Sequence, residues 1–159
     1  MTVNLHAVDL TYDEGDPAGY HTGYVRVGPL LGAEKLGLSV YELPPGQSIC
    51  PYHYELGDEE WLVVLEGTPT LRSPEGEREL RAWDTVCFPE GPDGAHKVTN
   101  RTEQTLRVAL LSTRREPAVS IYPDSNKVGV WPPGKLFRLA DAVDYWVDAP
   151  SAGDLTAET

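Results

Sequence analysis

The stretch Pro51-Tyr52-His53-Tyr54-Glu55-Leu56-Gly57-Asp58-Glu59-Glu60-Trp61-Leu62-Val63-Val64-Leu65-Glu66-Gly67 decides the fold. It sets an imidazole, several carboxylates and a strand-forming run between two turn signals. His53 and Glu55 lie two apart, so on an extended backbone their side chains leave the same face and both can touch one ion. Glu60 follows at the head of Trp61 to Leu65, a run of Trp, Leu and Val that reads as a buried strand. A hairpin through Leu56-Gly57-Asp58 is expected to return Glu60 beside His53. Glu59, one position earlier, points to the other face as a surface acid. The stretch reads as half of a metal site.

Upstream, Tyr20 to Val27 and Leu36 to Leu43 alternate and read as strands flanking a turn at Gly32, with Leu38 and Val40 on the face opposite Tyr41 and Leu43. Pro44-Pro45-Gly46 stops the second strand, because tandem prolines cannot donate to a ladder. Residues 1–19 are polar, broken by Gly15 and Pro17, and read as an arm with at most one edge strand. Downstream, Thr68 to Arg72 and Glu77 to Arg81 read as a hairpin around Ser73-Pro74-Glu75-Gly76. Asp84 to Phe88 is a short strand, and Pro89 to Gly94 a loop dense in breakers. His96, Val98 and Asn100 share one face of the next strand, and Thr105 to Ser112 supplies another. Roughly nine or ten short strands at this spacing predict an antiparallel sandwich or barrel. Beyond it, Tyr122 to Lys127 and Trp131 to Gly134 read as loops. Leu136, Leu139, Ala140 and Val143 are expected to line one side of a short helix within Lys135 to Trp146. Residues 149–159 are small and polar, a mobile end.

The 159 residues suit one domain, and 15 Gly and 14 Pro spread along the chain favour many short strands joined by turns. A net charge of −12 argues against nucleic acid, whose phosphates are held by clustered Lys and Arg. No run approaches the ~18 apolar residues of a membrane span, and Met1 to Leu10 lacks the basic-then-apolar order of a signal peptide. A soluble cytoplasmic protein is expected. Cys50 and Cys87 read as reduced core residues. Cys50, an odd number of residues from His53, would point away from the site on a regular strand.

Gly46, His53, Glu55, Glu60 and Gly67, followed by Trp83, Pro89, Gly91, His96 and Asn100, resemble in order and spacing the two motifs of the cupin superfamily. Tyr122-Pro123-Asp124-Ser125, Lys127-Val128-Gly129-Val130 and Asp144-Tyr145-Trp146 further resemble a subgroup of small bacterial cupins, mostly of unassigned function. The resemblance implies an all-β chain with a single antiparallel β-barrel or jelly roll over residues 20–115. A C-terminal helix or loop extension over 116–148 would pack on it. It also implies a homodimer, and a metal held inside the barrel by His53, Glu55, Glu60 and His96. Asn100 would be a turn-former.

Two residues depart from the pattern. Trp83 replaces a glycine, which should alter a turn, and Glu55 stands where a second histidine belongs. Two glutamates and two neutral histidines bring a divalent ion to formal neutrality, which weakens it as a Lewis acid and suits zinc, manganese or iron(II). Imidazole ligands disfavour calcium and magnesium. A site emptied of metal, with Glu55 paired to a cation, is the competing reading, but inward carboxylates without a cation are costly. The function expected is a metal-dependent enzyme acting on a small oxygenated metabolite. The alternative is a non-catalytic small-molecule-binding barrel with a structural metal or none.

Overall fold

A computed structural model describes residues 1–150. Residues 151–159, most of the expected mobile end, lie outside the described residues. The strands are β1 (Thr11–Tyr12), β2 (Gly23–Arg26), β3 (Leu36–Leu43), β4 (Tyr54–Leu56), β5 (Glu60–Glu66), β6 (Thr70–Ser73), β7 (Gly76–Glu79), β8 (Thr85–Phe88), β9 (Lys97–Thr99), β10 (Leu106–Thr113), β11 (Ala118–Tyr122), β12 (Lys127–Trp131) and β13 (Lys135–Arg138). A short α-helix, α1 (Val27–Leu30), follows β2.

The strands build a jelly-roll barrel. One wall is a six-stranded sheet in the order β1-β2-β3-β10-β5-β8. Facing it are a four-stranded sheet, β13-β12-β11-β4, and a three-stranded one, β7-β6-β9, all antiparallel. Period-two alternation in the long strands produces two apolar layers. Leu43, Leu62, Val64, Leu106 and Val108 face inward and pack with Leu71, Phe88 and Val98. Val40, Leu65 and Ala109 face outward and pack with Val27, Val3, Leu5, Val8 and Leu10. The N-terminal arm therefore covers the outer face of the large sheet, and each fully buried Leu or Val contributes about 1.5–3 kcal/mol. Asn100 is fully buried and donates to the Leu43 and Gln104 carbonyls, while its Oδ1 accepts from Thr102, so it closes its turn as expected. Among the described residues no helix is long and apolar enough to cross a membrane.

Three local expectations change. The Leu56-Gly57-Asp58 turn is no hairpin: β4 pairs with β11, and the chain crosses from one wall to the other before β5 begins. Asp58 pins this crossing by accepting from the Thr113 hydroxyl and the Arg115 amide. The extension holds a strand, β13, where a helix was expected, while Tyr122 to Lys127 and Trp131 to Gly134 are turns as read. Between and before those turns, residues 118–122 and 127–131 are β-branched enough to pair, and Leu136 lies on β13, which is followed by a 3-10 turn at Leu139–Asp141. Trp83 preserves its turn rather than altering it. It adopts the left-handed φ of 74° that a glycine would take, and its amide donates to Val64.

A left-handed residue with a Cβ costs ~1–2 kcal/mol, only partly offset by the greater chain entropy that glycine loses. The exposed Trp83 side chain makes little contact in return. Trp83→Gly is expected to stabilise the protein by about 1 kcal/mol in urea unfolding, whereas a loss of stability would show the indole to be the dominant contribution.

Candidate metal centre

The two histidines are joined through their backbones before their side chains meet. The His53 amide donates to the His96 carbonyl at 3.1 Å and the His96 amide to the His53 carbonyl at 2.8 Å, an isolated antiparallel bridge just ahead of β4 and β9. Glu60, first residue of β5, comes from the opposite wall. The centre thus ties the two walls together. Ligand atoms of His53, Glu60 and His96 all lie within 4.8 Å of one another. Glu60 Oε2 is 3.5 Å from His96 Nε2 and 3.9 Å from His53 Nε2.

Each imidazole is fixed in tautomer and orientation. His53 Nδ1 lies 3.0 Å from the Pro51 carbonyl and His96 Nδ1 2.9 Å from the Gly94 carbonyl. A carbonyl oxygen only accepts, so each Nδ1 carries the proton and each Nε2 presents a lone pair to the centre. Tyr122 stacks on His53 at 5.8 Å, and Phe88 on His96 at 3.7 Å with an interplanar angle of 8°. Burial lowers the basicity of both rings; His96, further disfavoured by His53, falls from 6.5 to about 4. Both are neutral near pH 7. Burial, then the Glu55 and Asp58 charges, pushes the Glu60 carboxyl up from 4.5 to about 7. Glu60 Oε2 is buried and has no hydrogen-bond partner among the described residues. An orphaned carboxylate oxygen facing two bare nitrogen lone pairs is a donor set that fits a divalent ion of mixed nitrogen and oxygen preference.

Glu55, the fourth expected ligand, occupies a neighbouring position. Its Oε1 is 3.5 Å from His53 Nε2, but it lies outside the three-residue group, and the Ser120 hydroxyl sits 2.9 Å from both of its oxygens. Glu55 and Ser120 are direct partners across β4 and β11, so their side chains share a face. Burial raises the Glu55 carboxyl, against the opposing effect of Ser120. Glu59 is exposed as expected and accepts from the Trp61 indole. Cys50 differs from expectation: residues before His53 bend instead of running as a strand, so its Sγ lies 3.5 Å from His53 Nδ1, behind the ring. Burial and the nearby glutamates raise its thiol, leaving it a protonated neighbour.

Glu55 and Glu60 open onto a cavity of about 390 Å³ that is also lined by Arg26, Tyr41, Asp58, Ser112, Ser120, Tyr122 and Trp131. Several of these escaped the sequence reading. For Ser120 and Tyr122 a signal existed in the β-branched alternation of 118–122, whereas Arg26 is placed only by strand pairing.

The cupin-domain family model matches residues 39–113. That segment is a cupin domain. Solved structures extend the likeness of fold beyond that segment. A sugar phosphate isomerase from Silicibacter pomeroyi is 21% identical, with 89% of this chain and 95% of that one covered at a TM-score of 0.79. A proposed sugar phosphate isomerase from Acidithiobacillus ferrooxidans is 26% identical over 79% of this chain and 81% of that one, TM-score 0.73. A polyketide cyclase from Streptomyces resistomycificus is 23% identical over 74% and 82%, TM-score 0.60. No curated protein matches the chain.

Proposed function

We propose that this cupin is an enzyme dependent on a divalent transition metal, zinc, manganese or iron(II), and that it moves a proton on a small oxygenated metabolite. The observation that carries the reading is Glu60 Oε2, buried between two histidine lone pairs without a hydrogen-bond partner among the described residues. His53, Glu60 and His96 would hold the ion. Bound there, it would supply Lewis-acid polarisation of a carbonyl or hydroxyl oxygen.

Glu55 does separate work. Ser120 holds it beside the three ligands and on the cavity wall, where a carboxylate can take up a proton from the substrate and return it. Tyr122 and Phe88 keep water from the outer faces of the imidazoles. Interconversion of an aldose and a ketose is one reaction of this class, and the likeness to the proposed isomerase of Acidithiobacillus ferrooxidans supports it.

Binding must displace the Glu60 proton, because that carboxyl titrates near 7 while both histidines are already neutral. Zinc or manganese affinity is therefore expected to fall about tenfold for each pH unit between about 7 and 5. Calorimetric titration in buffers of different ionisation enthalpy should count close to one proton released near pH 6. An affinity independent of pH across that interval would contradict the assignment.

A further inference from the structure

Among the described residues, the cavity at the metal centre is lined by one cation, Arg26. Strand register places it there. Arg26 pairs with Ser39, Ser39 with Leu110 and Leu110 with Leu62, so these side chains leave the inner face of the large sheet. The next rung on that face is Gly37, Ser112 and Glu60. Gly37 has no side chain, and a Cβ there would collide with the Ser112 hydroxyl.

A second pocket, of about 300 Å³, shares Arg26 and Ser112 with the first and adds Ser39 and Arg114. Among the described residues no carboxylate lines it, in a chain with 25 acidic residues against 13 Lys and Arg. Arg72, Arg101 and Arg107 are each paired with a carboxylate, but among the described residues neither Arg26 nor Arg114 forms a salt bridge. Guanidinium forks match the oxygens of phosphate in two-point contacts, and hydroxyls add neutral donors. One guanidinium satisfies a carboxylate, whereas two flanking a pair of serines suit a dianion.

We propose that Arg26 and Arg114, with Ser39 and Ser112, form the subsite for the phosphate of a small phosphomonoester. The hydroxylated end of that molecule reaches past Ser112 to His53, Glu60 and His96. Only this far end rests on the metal-dependent reading above; the anion subsite needs no ion.

Inorganic phosphate and acetate are titrated at constant ionic strength into the full-length protein, as purified and after metal removal, with binding followed by calorimetry. Phosphate is expected to bind saturably in both forms and more tightly than acetate. Arg26→Gln and Arg114→Gln should each weaken it about tenfold in the metal-free protein, and Arg101→Gln should leave it unchanged. Both arginines are exposed, so the variants should fold, which circular dichroism checks. Phosphate binding unaffected by both substitutions, absent from the metal-free protein, or matched by acetate would overturn the subsite. Because the deciding titration contains no metal, its outcome is independent of whether His53, Glu60 and His96 hold an ion.

Discussion

Replacing His96 by Gln is expected to lower zinc or manganese affinity by at least about a hundredfold and to abolish the rise in Tm that a saturating ion gives the parent protein. Loss of an outer hydrogen-bond partner alone commonly costs about 10–100-fold, and here a direct donor is removed. Glutamine keeps much of the volume that stacks on Phe88, so the fold survives the change better than with alanine. Glu55→Gln supplies the contrast. With Glu55 outside the converging group and held by Ser120, its affinity loss should stay below about tenfold, while turnover suffers. Loss in Glu55→Gln as large as in His96→Gln would make Glu55 a ligand, as its motif position implies. An undiminished metal-dependent Tm shift in His96→Gln would remove the centre altogether.

Glu60→Gln should have opposite effects on binding and on stability. It removes the anionic donor, so metal binding is lost. In the metal-free protein it relieves a buried charge. The folded-state value near 7 lies above the unfolded value of 4.5, so Glu60 costs nothing while protonated in both states, below about pH 4.5. Stability then falls as the pH rises through 7, by about 3 kcal/mol in all. His96 acts in the other direction: its folded value near 4 lies below 6.5, so its contribution is present above 6.5 and is lost as the pH falls toward 4. The two trends oppose each other across the same interval, but the histidine contribution is common to parent and variant. Their difference isolates Glu60. Metal-free Glu60→Gln should therefore exceed the parent by about 1–3 kcal/mol at pH 8 and match it near pH 4.5, as read by urea unfolding. Equal stability of the two at both pH values would show that Glu60 carries no burial penalty. The donor that serves the ion thus weakens the empty fold, the usual cost of a functional site.

The barrel was legible because its long strands alternate with period two. Leu38 and Val40 do lie opposite Tyr41 and Leu43, and the faces of Leu106 to Leu111 follow the same rule. Motif spacing brought His53, Glu60 and His96 to one place. It missed how they get there, because strand partners are chosen by tertiary packing: Glu60 arrives from the opposite wall and not around a hairpin. Pairing of β4 with β11 also decides the position of Glu55, since Ser120 sits opposite it from a segment beyond both motifs. Arg26 and Arg114 carried no signal, being far apart in the sequence and brought to one pocket only when β2, β3 and β10 align. Trp83 was misread for a local reason: the left-handed turn belongs to the backbone path between β7 and β8, and the tryptophan accommodates it.

The most direct test of the central claim is anomalous scattering from crystals of protein purified without chelator and supplied with one equivalent of zinc. The account predicts a zinc peak in contact with His53 Nε2, His96 Nε2 and Glu60 Oε2. A stoichiometric zinc found elsewhere, or density at this position that shows no anomalous signal, would contradict it.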